Sequence, residues 1–213
     1  MIMRRRFFAA LAGLSVLAVV ALPSVCRAAT LEERSEAFIR SLAREAIESL
    51  TKKETLRDIR IGNFRKLFNR HFAVRSIGRF VLGRNWRKAT KEERKEYLSL
   101  FEDFMVVSYV DRFQRYAGLG LKVTKAREER KTLATVFTEI GRPNNSKPVQ
   151  VLWRVGARGE TMKILDVVVE GASMSQTLRS DFSSIIRQKE GKVSGLLEEL
   201  RIKTVALKAE KAN

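Results

Sequence analysis

The chain has 213 residues, enough for one domain with a sizeable core. One cysteine excludes a disulfide framework, and one histidine, His71, leaves little for metal or acid–base chemistry. The formal charge of +18 either keeps the molecule soluble or answers an anionic counterpart.

Taken in order, the chain begins with a segment that does not belong to the fold. Arg4-Arg5-Arg6 is a positive start, and Phe7–Leu22 is an apolar run. Cys26-Arg27-Ala28 then places small residues before Ala29. This predicts a secretory signal peptide over residues 1–28, cut after Ala28, by the general or the twin-arginine route. An uncleaved signal anchor and a lipoprotein at Cys26 are the two rivals. Removing the segment's four arginines from the 42 basic residues leaves 38 against 24 acidic ones, a charge near +14. An exported protein meets little nucleic acid, so anionic lipid or acidic protein is the expected counterpart, and no nucleic acid is expected.

Thr30-Leu31-Glu32-Glu33 is a capping box that opens a helix from Leu31 to about Thr51. Phe38, Ile39, Leu42, Ala46, Ile47 and Leu50 recur along it at helical spacing. A second helix is expected from Glu54 to Phe72, and a third from Val74 to Leu82, capped by Gly83. Asn85–Ala89 reads as a connector. Thr90-Lys91-Glu92-Glu93 is a second capping box, opening a long helix to about Ala117.

After Gly118 and Gly120 the period changes to two. Strands are expected at Leu119–Thr124, Thr132–Ile140, Val149–Val155 and Met162–Val169, with a turn at Gly141–Asn145. Glu170-Gly171-Ala172-Ser173 is another turn, and Ser173 caps a helix over Ser175–Gln188, with Gln176 completing a possible capping box. A last helix is expected at Val193–Ile202, then a frayed, disordered basic tail over 203–213. The fold class is therefore α+β, a four-stranded antiparallel sheet packed against several helices. The fold proper would span residues 29–202.

Chemical motifs are few. No carboxylates cluster at ligand spacing, so neither metal nor other cofactor is expected. Gly171-Ala172-Ser173-Met174-Ser175 lacks the second glycine of a nucleophile elbow; a Ser173–His71–Asp166 triad can be drawn, but Ser173 is better explained as a cap. Gly78 to Gly83-Arg84-Asn85 lacks the lysine and hydroxyl of a P-loop. What remains is large apolar side chain. Periodicity does not separate a filled core from one that holds a ligand.

Two stretches carry a resemblance. Phe80-Val81-Leu82-Gly83-Arg84-Asn85-Trp86-Arg87-Lys88-Ala89-Thr90 is similar to a segment of the MlaC-type (toluene-tolerance) periplasmic phospholipid-binding proteins. Asp166-Val167-Val168-Val169-Glu170-Gly171-Ala172-Ser173, with Arg179 and Phe182, is similar to that family's signature. The stretch Ser173–Phe182 resembles the hopanoid-associated HpnM branch more than the phospholipid branch. The resemblance spans about Phe64 to Leu200.

It implies a periplasmic lipid carrier, not an enzyme. Such a carrier shields phospholipid or hopanoid-type tails between an inner-membrane ABC-type lipid transporter complex and an outer-membrane lipoprotein complex. An apolar cavity is then expected between sheet and helices. Its expected walls are Phe80, Leu82, Trp86, Phe101, Phe104, Met105, Val151, Trp153, Val167, Val169 and Phe182. The alternative is a small periplasmic enzyme, an isomerase or hydrolase, using Asp166 or Asp111 as base in an apolar pocket. A third reading is a membrane-surface adaptor with no cavity.

Overall fold

A computed structural model describes residues 28–51, 56–117, 119–142 and 147–209. The expected export signal up to position 27, most of the 141–145 turn and the last four residues lie outside the described residues. The helices are α1 (Leu31–Leu50), α2 (Arg57–His71), α3 (Val74–Leu82), a single turn α4 (Asn85–Lys88) and α5 (Lys91–Ala117). The strands follow as β1 (Leu121–Arg130), β2 (Leu133–Ile140), β3 (Val149–Arg158), β4 (Thr161–Val169) and β5 (Ala172–Ser173). Two helices close the chain, α6 (Met174–Gln188) and α7 (Val193–Ala209).

Local chemistry sets these bounds. In α1 the Thr30 hydroxyl accepts from the Glu33 amide at 3.2 Å, and the Glu33 carboxylate accepts from the Thr30 amide at 2.8 Å. Thr90 and Glu93 repeat the exchange at 3.1 and 2.9 Å, opening α5. The segment expected as a connector forms the turn of helix α4. Gly83, which ends α3, has φ +59° and ψ −130°, a region open essentially to glycine alone. A Cβ there would also stand 3.1 Å from the Arg179 guanidinium. Gly83→Ala is expected to cost about 1–3 kcal/mol. Thermal unfolding checks this, as a fall of roughly 2–12 °C in Tm.

The sheet is an antiparallel meander in the order β1-β2-β3-β4-β5. It has a fifth, two-residue strand where four were expected. Glu170 and Gly171 both have positive φ, +48° and +84°, the geometry of a type I′ turn. Such a turn matches strand twist, so pairing continues past it with Val169 opposite Ala172 and Val168 opposite Ser173. β4 also carries a bulge at Leu165: Arg154 faces Asp166, but Val155 faces Ile164. The extra residue shifts the inside–outside parity of β4, and Val167 comes to lie opposite buried Trp153.

The helices cover one side of the sheet. α2 is tied to β4 at its end: the Lys163 ammonium donates to the carbonyls of Asn69, at 3.1 Å, and Arg70. The Ala73 amide bonds the Ile164 carbonyl at 2.9 Å. Lys163→Met is expected to cost about 1 kcal/mol, because those last-turn carbonyls lose their cation; urea unfolding would register it. The expected tail needs correction over residues 203–209, which continue α7 as helix. The Arg57 guanidinium donates to the carbonyls of Leu207 and Lys208, both at 3.3 Å, and Thr204 is buried. The helix is held because its C-terminal carbonyls have a donor on α2.

Candidate functional site

An apolar cavity of about 600 Å³ lies between the sheet and the helices α1, α2, α5 and α6. That is within the ~300–1,000 Å³ usual for ligand pockets. The sheet side is a product of period two: Val149, Val151 and Trp153 of β3 alternate inward, beside Ile140 of β2. Val167 and Val169 join them from β4 by virtue of the bulge.

The helix side comes from stripes. α1 contributes Ile39, Leu42, Ala43, Ala46 and Ile47, one face at helical spacing. Ala43 and Ala46 are small, and leave volume that larger side chains at those positions would take. α2 supplies Phe64 and Phe68, and Phe72 follows; their rings pack in series with centroids 6.1 and 4.9 Å apart. Met105 and Tyr109 of α5 and Leu178 of α6 complete the wall.

The buried polar groups of this wall are already paired. The Trp153 indole N–H donates to the Thr138 hydroxyl at 2.9 Å, which donates to the Val151 carbonyl at 2.9 Å. Asp166 is 7% exposed and its carboxylate serves the β4–α6 corner. One oxygen accepts from the amides of Val167 (3.0 Å) and Ser175 (3.1 Å), the other from the Ser173 hydroxyl (2.6 Å). Ser173 in turn accepts from the Gln176 amide at 3.2 Å, as the expected helix cap. Among the described residues, buried side-chain atoms without a partner occur at Ser35, Arg57, His71, Ser108 and Thr204, none of which lines the cavity.

These contacts bear on the enzyme alternative. A base needs a free lone pair facing substrate, and the Asp166 carboxylate is taken up by three donors. Asp111 lies outside the cavity lining and pairs with Arg57 at 3.4 Å. The drawn triad is not assembled either: His71 Nε2 lies 2.6 Å from the Glu45 carboxylate, on the α1–α2 contact. Among the described residues no group of three His, Cys, Asp or Glu side chains could hold a metal.

The mouth is marked by lining residues that reach solvent: Ile47, 40% exposed, with Arg112, Ala172, Thr177 and Asp181. Half-buried Tyr109 sits under the Arg112 guanidinium, 5.4 Å from ring centroid to carbon. Burial pushes the Tyr109 phenol above its ordinary value; nearby Arg112 pulls it back and Asp181 pushes it further up. The phenol is therefore neutral at physiological pH.

Of the eleven expected wall residues, Met105, Val151, Trp153, Val167 and Val169 line the cavity. Phe101, Phe104 and Phe182 instead form a solid aromatic cluster with Tyr97, ring centroids 5.8–6.4 Å apart, that fills the contact of α5 with α6. The buried Tyr97 hydroxyl donates to the Gly78 carbonyl at 2.9 Å, and burial pushes its phenol up. Leu82 is 1% exposed and off the cavity. Trp86 is half-buried between the guanidiniums of Arg79 and Arg94, at 5.7 and 5.5 Å. Phe80 is 40% exposed beneath Arg179 at 4.9 Å. Phe80 thus serves the contact of α3 with α6, and Trp86 the corner of α3 with α5. The α1 and α2 stripes were the missed walls; their spacing showed a buried face without showing what lay across from it.

Among the described residues no helix is long and apolar enough to cross a membrane. A solved phospholipid-binding protein from Ralstonia solanacearum, in complex with a phospholipid, shares this fold at a TM-score of 0.68 and 20% identity, over 80% of this chain and 97% of that one. The family described as MlaC protein matches residues 40–202, from the cavity helix α1 through most of α7. Both reading frames, sheet and helices, are thus accounted for by one kinship: the chain belongs to the MlaC family.

Proposed function

We propose that this protein is a carrier that hides the hydrocarbon tails of a phospholipid in the cavity and leaves the headgroup at the mouth. The observation that carries this is the ~600 Å³ apolar space whose lining holds no buried side-chain nitrogen or oxygen without a partner, its unpaired charges standing at the mouth. Exposing a tail to water costs about 0.8 kcal/mol per CH₂. A chain of about sixteen carbons thus costs on the order of 10 kcal/mol. A carrier has to offset most of that, and an apolar void with satisfied walls does so without chemistry.

The phospholipid bound by the Ralstonia solanacearum relative of this fold supports the same reading. The finer reading is of an exported protein, working in the periplasm. It moves lipid between an inner-membrane ABC-type transporter complex and an outer-membrane lipoprotein complex. The excess of basic side chains suits acidic faces on such partners.

Native mass spectrometry of the purified protein, before and after incubation with vesicles, tests the core of this. A bound phospholipid is the expected result; a hopanoid-type lipid in its place would keep the carrier and change the cargo. A protein that is empty and takes up no lipid would end the reading. Tryptophan emission gives a second test. Phospholipids brominated in the acyl chain are expected to quench Trp153 in the Trp86→Phe variant by more than half. They are expected to leave Trp86 emission nearly intact in the Trp153→Phe variant, because Trp153 alone of the two lines the cavity.

A further inference from the structure

Three charged residues line the cavity: Arg112, Asp166 and Asp181. Asp166 is occupied by its corner. The other two stand at the mouth, Arg112 near the end of α5 and Asp181 on α6, both exposed. Among the described residues neither takes part in an ion pair, with the other or with any group. Arg112 is steadied by the Tyr109 ring at 5.4 Å. Both charges act on the Tyr109 phenol, in opposite senses, so all three share one stretch of the rim. Thr177, another exposed lining residue, donates its hydroxyl to the Ser173 carbonyl at 2.9 Å.

Burial of tails does not use this arrangement. A headgroup that is purely anionic gains from Arg112 and loses to Asp181. A headgroup with a phosphate and an ammonium meets a partner of opposite sign for each. Resting on the carrier reading above, we propose that the mouth reads headgroup charge. Arg112 takes the phosphate and Asp181 the ammonium of a zwitterionic phospholipid, the ethanolamine or choline type, in preference to a glycerol-type anionic one with the same tails. Exposed charge pairs are weak, about 0.2–1 kcal/mol each. The preference is therefore a few-fold, about two- to fivefold, and it shrinks as salt screens it.

The test is a competition. Full-length purified protein is incubated with vesicles of equal parts ethanolamine- and glycerol-headgroup phospholipid with identical acyl chains, and bound lipid is extracted and quantified by mass spectrometry. The ratio is read within each sample, so changes in total occupancy cancel. The wild type is expected to enrich the zwitterionic lipid about two- to fivefold at low salt and less at high salt. Asp181→Asn is expected to bring the ratio near that of the vesicle, and Asp181→Lys to reverse it. Arg112→Gln, which removes the phosphate's cation, is expected to lower loading of both phospholipids relative to diacylglycerol, which has no phosphate. A wild-type ratio equal to the vesicle's, or a preference that survives Asp181→Lys, overturns the proposal while leaving the carrier standing. Absence of any loading, diacylglycerol included, overturns both.

Discussion

Ala46→Phe is expected to make the protein more stable and a worse lipid binder at once. Ala46 is buried on α1 and lines the cavity. A phenyl group there would enter space that the lipid-free fold leaves open. Filling such space commonly gains about 0.5–2 kcal/mol. If the ring displaces roughly three methylenes of cargo at about 0.8 kcal/mol each, binding loses about 2 kcal/mol. That is on the order of thirtyfold in affinity. The two readouts are Tm by scanning calorimetry of delipidated protein and uptake of a fluorescent phospholipid from vesicles. A packed core predicts the opposite pair, since overpacking costs about 1–3 kcal/mol and there is no uptake to lose. A fall in Tm with unaltered uptake would sink the cavity as the tail site.

Asp166→Asn is expected to cost stability, about 2–3 kcal/mol, because an amide nitrogen replaces one of two accepting oxygens and so faces a donor, while the bonds that remain lose their charged acceptor. The donors are the amides of Val167 and Ser175 and the hydroxyl of Ser173, and all three set how β4 hands the chain to α6. For a chain of this size that is a fall of roughly 4–12 °C in Tm. Once folded, below its midpoint, the variant is expected to load lipid within about twofold of the wild type, because the Asp166 carboxylate is committed to the corner. A variant of unchanged Tm that had lost all binding would mean that Asp166 faces the ligand after all. Ser173→Ala is the matching control. It removes one of the three donors together with the α6 cap and is expected to cost about 1 kcal/mol.

The Asp166 case shows where reading residues in order runs short. The Ser173 cap was legible, because cap and helix are three residues apart. Its second bond was not, because it joins Ser173 to a residue seven back, across a hairpin turn. The same division holds along the whole chain. The bounds of α1, α3 and α5 follow from capping boxes and a glycine, all within a turn of the helix ends. The strands followed from alternation, which put Val151 and Trp153 on one face of β3; Val167 and Val169 belong to an unbroken apolar run and reach that side through the bulge at Leu165, which alternation does not show. The α7 extension was not, since Arg57, whose donors hold it, is about 150 positions away.

For this protein, then, the order of residues alone determined most of the elements, the inward face of β3 and the family, all of which depend on neighbours a few positions apart. Tertiary structure decided which stripes are separated by space and which by contact. Phe101 and Phe182 meet ring to ring, while Ala43 and Ala46 stand back from the sheet and leave a void. The physical reason is that a helical stripe reports that a face leaves water, and burial against a neighbour or around a vacancy satisfies that demand equally. Only the distance between elements distinguishes the two, and that distance is set by all the side chains between them together.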